Sequence, residues 1–376
     1  LKLKLHIGQG KAGSTSIQDS LFAAQDTLKR YNCLYPDTLA SAGTLGIRGR
    51  HHWLQPLWRE NLKIESSVVQ RMGFDISAAK NLAQNEWENL ISQIEQCRPE
   101  ILILSSEVQF GAATDKEIEK ARNYLPTLTD DIEVFAYIRS PIKQYLSLVQ
   151  QVLKTVSDIR QPIGSNITSV LDTYQKIYDQ PVRTRIFGPS ALLDNDVVSD
   201  FLDWANIPVP AEDVPSIRSN DSVSAECMSI LHEVMPKNRP TNQQELVQVR
   251  KLRRAIILAD KSVQGATKPA LKPQITESLT AQCTDLIRLR DDFGIEFSDI
   301  DYELIKENAP APFEVSQIEQ LCYYDADRKE NVFRLAQENL EKKRSKNKSK
   351  NKKRRSPPAS RAQKLKSYFK SLLGKH

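Results

Sequence analysis

Cysteine is scarce and scattered: five in 376 residues, with no CxxC pair among Cys33, Cys97, Cys227, Cys283 and Cys322. An odd, widely spaced set offers neither a disulfide framework nor a zinc ligand cluster, so a reducing compartment without structural zinc is expected. Long apolar runs are missing as well. The longest, Val134 to Ile138 and Ala255 to Ala259, hold five residues each, against the ~20 that cross a bilayer as a helix. The opening Leu1-Lys2-Leu3-Lys4-Leu5-His6-Ile7 alternates in polarity and has no continuous apolar centre, so it reads as a strand and not as a signal peptide. With no initiator Met, a trimmed amino terminus is the expectation. Acidic residues are absent from the far end, where residues 342–376 carry fifteen Lys or Arg and no Asp or Glu.

That last absence splits the chain electrostatically. Removing the tail's fifteen from the 53 basic residues leaves 38 against 47 acidic ones, so residues 1–341 have a net charge of −9 under an overall +6. The body is acidic and the tail is a separate basic device, and the overall charge says nothing about the body's ligands. With 40% apolar and 27% charged residues, the body has the means to build one large domain or two smaller ones.

Strands and helices alternate over the first two hundred residues. Leu1 to Ile7 leads through Gly8-Gln9-Gly10-Lys11-Ala12-Gly13 to a helix with Ile17, Leu21, Ala24 and Leu28 on one face. A second helix presents Ala83, Trp87, Leu90, Ile91, Ile94 and Cys97 and ends near Pro99, before the buried strand Ile101 to Leu104. Ile132 to Ile138 is a third strand, and Pro141 opens an amphipathic helix whose apolar stripe is Ile142, Tyr145, Leu146, Val149, Val152 and Leu153. Val182 to Phe187 is a shorter strand and Val197 to Trp204 a helix. The pattern predicts an α/β fold, a parallel sheet flanked by helices on both faces. From Ser222 the reading is helical, with Ala225 to Val234, Gln243 to Asp260, Thr276 to Phe293 and Gln317 to Leu340 as the segments. Lys342 to Ser360 reads as a disordered Lys/Arg/Ser/Asn run, and Arg361 to Leu373 as a terminal amphipathic helix. The domain reading is 1–310 for a catalytic domain, 311–340 for a helical extension and 341–376 for the basic tail.

A strand that ends in a glycine-rich turn and opens a helix is an anion cradle, because backbone N–H groups and the helix N-terminus add positive potential there. In the nucleotide loop GxxxxGK[ST], Lys follows the last Gly directly, whereas Lys11 stands two residues before Gly13. Thr15 and Gln18 also fit a capping box, which is the plain structural account of the same segment. The stretch Lys11-Ala12-Gly13-Ser14-Thr15 resembles the phosphosulfate loop of sulfotransferases that use 3′-phosphoadenosine 5′-phosphosulfate (PAPS), and Arg139, Pro141 and Ser147 are similar in spacing to that family's 3′-phosphate site. The likeness covers residues 5–30 and 101–155, and more loosely 182–224. It implies a P-loop-type, sulfotransferase-like sheet, with Gly10, Lys11, Ala12, Gly13, Ser14, Thr15 and Ser16 holding the 5′-phosphosulfate, Arg139 and Ser147 the 3′-phosphate, and no metal. The Arg-Lys-Gly of the soluble small-molecule branch occurs nowhere, which points to the carbohydrate branch.

An acceptor hydroxyl needs a base. Glu107 follows the strand Ile101 to Leu104, at the carboxyl edge where open α/β sheets bind ligands, and His52, in Arg50-His51-His52-Trp53, is the competing candidate. The expected activity is sulfuryl transfer to a polysaccharide or glycolipid, with Lys11 and Glu107 or His52 as catalytic residues. The alternatives are a P-loop kinase and a non-catalytic polyanion-binding module on the same fold. Arg250, Lys251, Arg253 and Arg254 are read as a solvated helix face, with an acidic polymer as the alternative ligand. The tail, with its charge and the stripe Leu365, Tyr368, Phe369, Leu372 and Leu373, suggests a cytoplasmic protein held on an anionic membrane surface. Specific nucleic-acid binding is not expected.

Overall fold

The computed structural model describes residues 1–39, 48–62, 67–161, 164–217 and 222–352, with the backbone alone at 67, 71, 189 and 342–352. Five strands, β1 (Lys2–His6), β2 (Cys33–Leu34), β3 (Ile101–Ser105), β4 (Ile132–Ile138) and β5 (Arg183–Ile186), form one sheet in the order β2-β3-β1-β4-β5. Every pairing is parallel. The α/β sheet flanked by helices is therefore present. Among the described residues no helix is long and apolar enough to cross a membrane.

The period of two in β1 sorts its residues between faces. On one face Ile101, Ile103, Phe135 and Tyr137 pack with Ile17 and Leu21 of the helix Ser14–Ala23 and with Val198, Phe201 and Leu202 of the helix Val197–Trp204. His6 lies in register with Ser105 and Phe135, its ring 5.4 Å from that of Phe201. On the other face Leu5 shares a small cavity with Leu54, Leu57 and Trp58 and with Tyr174 and Ile177 of the helix Ile167–Tyr178. With both faces covered, β3 and β4 need the near-continuous apolar composition that the sequence shows.

The chain divides into two compact units interleaved along the sequence. The first comprises Leu1–Leu148, Gln161–Asp221 and Pro273–Glu314, and carries the sheet. The second comprises Val149–Arg160, Ser222–Lys272 and the described part of the segment from Val315 onward. Both units draw on residues within 1–310.

The second unit is helical and organised around one guanidinium. Arg328, 5% exposed, donates to Ser224 Oγ and Glu226 Oε2 at 2.9 Å, and to the carbonyls of Gln264, Asp260 and Val263 at 2.9–3.0 Å. It also lies 2.9 Å from Asp260 Oδ1. These contacts tie the helix Ala326–Lys352 to Ala225–Val234 and Gln243–Ser262.

Several helices differ from the periodicity reading. The helix expected over Thr276 to Phe293 is two, Pro273–Ala281 and Asp285–Phe293. Between them Cys283 is fully buried and its N–H bonds to Thr280 O, a tight i to i−3 contact that turns the chain. The reading from Gln317 breaks after the short Ile318–Leu321, and the long helix begins at Ala326. It continues through Lys352, eleven residues into the run expected to be disordered. Lys and Arg are good helix formers and the first Pro comes only at Pro357, so a helix nucleated on packed residues propagates. The rest of that run and the amphipathic segment Arg361 to Leu373 lie outside the described residues. β2 escaped the pattern reading because two residues carry no periodicity.

Candidate functional site

β1 ends at His6, and the chain turns through Gly8–Gly13 into the helix Ser14–Ala23. The three glycines of this turn differ in purpose. A Cβ on Gly8 would stand 2.4 Å from His6 Nε2 and 2.8 Å from Ser14 Oγ, so the backbone passes where only glycine fits. Gly13 adopts φ 81° against Phe187 and Val197, a left-handed conformation that caps the helix. Gly10 faces open space. Lys11, although not glycine, is also left-handed at φ 70°, a strained conformation that persists only where neighbours impose it. Among the described residues no acceptor takes the N–H of Gly10, Lys11, Gly13 or Ser14, while that of Ala12 bonds to Gln9 O at 3.0 Å. The buried Ser14 Oγ likewise has no hydrogen-bond partner. The capping box of Thr15 and Gln18 is not formed. Gly13 is the N-cap, without a side-chain hydrogen bond, and Gln18 Nε2 reaches instead to Ser105 O at 3.4 Å. Thr15 and Ser16 are half-buried in the first turn of the helix, and Ala12 is fully buried beneath the loop.

Arg139 follows β4 and meets the loop directly. Its Nη1 donates to Lys11 O at 2.9 Å, its backbone N–H donates to Gln9 Oε1 at 2.7 Å, and the guanidinium lies over Phe187. Burial lowers its pKa and the Asp299 carboxylate opposes that. The helix Pro141–Leu153 begins two residues on, and Gln144 Oε1 accepts from Gln9 Nε2 at 2.6 Å. Ser147 is half-buried one turn beyond Gln144 on the same face. Ser140 Oγ and Lys143 Nζ both meet Asp299, at 2.9 and 3.2 Å.

β3 contributes a run of polar groups at its carboxyl end. Ser105 N–H donates to His51 Nδ1 at 2.9 Å; a backbone N–H can only donate, so His51 carries its proton on Nε2, which faces Pro36 O at 3.5 Å. Ser105 Oγ is 2.8 Å from His6 Nδ1, and Ser106 Oγ is 3.2 Å from His52 Nδ1. The adjacent histidines thus reach adjacent serines from the single 3₁₀ turn His51–Trp53. Burial pulls the His51 pKa down to about 4, against the hydrogen bond that its Nε2–H donates to Pro36 O, and that of His6 to about 3. Both are neutral imidazoles. Glu107 begins the 3₁₀ turn Glu107–Gln109. Burial raises its pKa, while the charges of Arg50 and Lys11 lower it and Asp19 raises it. Arg50 is itself paired with Asp19 at 3.0 Å.

The sequence-derived residues therefore gather at one edge. The Gly10–Ser16 loop, Arg139 and Glu107 come from the ends of β1, β4 and β3, His52 reaches the end of β3 from the turn His51–Trp53 through Ser106, and Ser147 lies on the helix that follows β4. This is where the strand order reverses about β1, the place where open parallel sheets bind ligands. Sequence reasoning missed Gln9, Arg50 and Asp19. Gln9 sits inside the glycine-rich turn, but a lone Gln there carries no pattern, and Asp19 and Arg50 pair across 31 positions with no local periodicity to join them. Among the described residues no group of three or more His, Cys, Asp or Glu is placed to hold a metal ion. No protein-family model, curated protein or solved structure matches the chain.

Proposed function

We propose that the chain is a sulfotransferase that moves a sulfuryl group from PAPS to a hydroxyl or amine of a polysaccharide or glycolipid. The observation that carries this reading is the convergence of Arg139 on the Lys11 carbonyl, with Lys11 also acting on the ionisation of Glu107. A planar cation for one phosphate, a loop whose N–H groups meet no acceptor among the described residues for another and a carboxyl whose pKa burial raises share one sheet edge.

The residues fit such a donor. The loop's N–H groups and the unpartnered Ser14 hydroxyl supply acceptor-seeking dipoles beside the open space at Gly10, and such dipoles suit phosphate and sulfuryl oxygens. The donor, when bound, supplies an activated sulfuryl group on a phosphate leaving group. Lys11 stabilises charge on the leaving oxygen. Glu107 removes the acceptor proton, its raised pKa bringing a weak carboxylate base nearer the working pH. His52, fixed through Ser106, orients the acceptor and takes over as base if Glu107 is dispensable. Arg139 and Ser147 hold the remote phosphate, whose binding energy aligns the reacting end. The basic tail places the enzyme on the cytoplasmic face of an anionic membrane.

The test is binding of adenosine 3′,5′-bisphosphate without magnesium, followed by transfer of labelled sulfate from PAPS to capsule-type polysaccharides read by mass spectrometry. Low-micromolar binding and a labelled product are expected. Preference for ATP with magnesium would replace this reading with phosphoryl transfer, and indifference to both nucleotides would leave a non-catalytic module.

A further inference from the structure

Gln9 is 2% exposed, and burying a carboxamide is costly unless its hydrogen-bonding groups are used. Here they are. Its N–H donates to Tyr137 O in β4 at 3.3 Å and its carbonyl accepts from Ala12; Oε1 accepts the Arg139 N–H and Nε2 donates to Gln144 Oε1. The orientation of the amide follows from the network, because Arg139 N–H can only donate. Gln144 must then accept from Gln9, which leaves the Gln144 Nε2 donor pair on the face that carries Ser147. The Arg139 side chain returns to Lys11 O, closing a ring from Gln9 through Arg139 and Lys11 back to Gln9. Lys11 is the strained member of that ring, and Arg139 is the member that meets its carbonyl.

We infer that Gln9 is a positioning residue that holds the Lys11 turn, Arg139 and Gln144 in one arrangement, so that the 5′- and 3′-phosphates of a bisphosphorylated nucleotide are recognised together. This rests on the proposed donor site and extends it: Gln9 touches neither phosphate and acts through Arg139 and Gln144. A side chain of this kind has a signature that a purely structural one lacks, namely that its effect shrinks when a residue it positions is already gone.

The experiment is a double-mutant cycle read by calorimetric Kd for adenosine 3′,5′-bisphosphate, with thermal melting as a parallel readout. Gln9→Met keeps length and apolar bulk and removes both side-chain hydrogen bonds. It is expected to weaken binding about tenfold in the native background and about threefold in Arg139→Ala, where only the path through Gln144 remains. Gln144→Met, at a half-buried position, runs the same cycle with a smaller first step and decides the matter if Gln9→Met does not fold. An equal loss of affinity in both backgrounds, or a lowered melting temperature with unchanged Kd, overturns the positioning role. If the unaltered protein itself fails to bind the bisphosphate, the donor reading falls and takes this inference with it. A protein that binds but shows a flat cycle sinks the Gln9 role alone.

Discussion

Arg139 and Arg328 show the same side chain put to opposite uses. Arg328 spends every N–H on protein: two carboxylates, a hydroxyl and three carbonyls surround it, at 5% exposure. Arg139, half-buried at the end of β4, gives its side chain one hydrogen bond among the described residues, to the Lys11 carbonyl, and has no carboxylate in ion-pair contact. A saturated guanidinium joins helices, whereas one with spare donors beside a strained loop suits the phosphate-binding role proposed for it. Burial alone would not have told them apart; the census of acceptors does.

The largest effect expected from breaking this contrast is on stability. Arg328→Met leaves Glu226 and Asp260 buried without a counter-charge, and losing one partner of a buried pair costs about 3–5 kcal/mol. Urea unfolding should show an unfolding free energy lowered by that amount, with the midpoint shifted accordingly, and an unshifted midpoint would mean that the cluster is not a stabilising centre. Next comes Lys11→Ala, expected to lower turnover ~10²–10³-fold, as for other preorganised charge-stabilising donors, with the melting temperature nearly unchanged. Arg139→Ala should raise the bisphosphate Kd about 10–100-fold, the loss of charged hydrogen bonds, again with little change in melting. If Arg139→Ala destabilises as much as Arg328→Met, the two arginines are alike and the comparison fails.

The last effect is graded with pH. His6 and His51 have folded-state pKa values lowered to about 3 and about 4, below the ~6.5 of an unfolded chain. The unfolded state therefore binds more protons between these limits, and the stability these residues contribute is complete above pH ~6.5 and lost as pH falls toward 4. Each contributes a slope of about 1.4 kcal/mol per pH unit in that window. Urea titrations from pH 7 to 5 should show it, and His51→Phe should flatten it by about half. An unchanged slope in that variant would place the proton uptake elsewhere.

How much of this was legible beforehand differs by element. Ile132 to Ile138 and Val197 to Trp204 were read to the residue, because a continuous apolar run and a clean 3.6 period leave few alternatives. The positions of Lys11, Glu107 and Arg139 followed from strand ends, which parallel topology places at one edge. What could not be read was pairing at a distance: Gln9 with Arg139 and Gln144, Ser105 with His51, Arg50 with Asp19. These bonds link residues 31–135 positions apart, and their side chains are chosen by geometry that exists only after the sheet forms. The break at Cys283 failed for a related reason, since one buried thiol interrupts a periodicity that the sequence alone continues.

Gly10 has nothing within 4 Å of the Cβ position it lacks, and its φ lies outside the left-handed range. It is thus the one glycine of the turn that admits a side chain without strain or clash. Four of the five cysteines are buried and Cys97 is exposed, so a Cys97→Ser background with Gly10→Cys offers a single reactive thiol at the lip of the loop. A fluorophore attached there would report occupancy of the cradle by any anion, turning a gap in the packing into an optical handle that needs no knowledge of the acceptor.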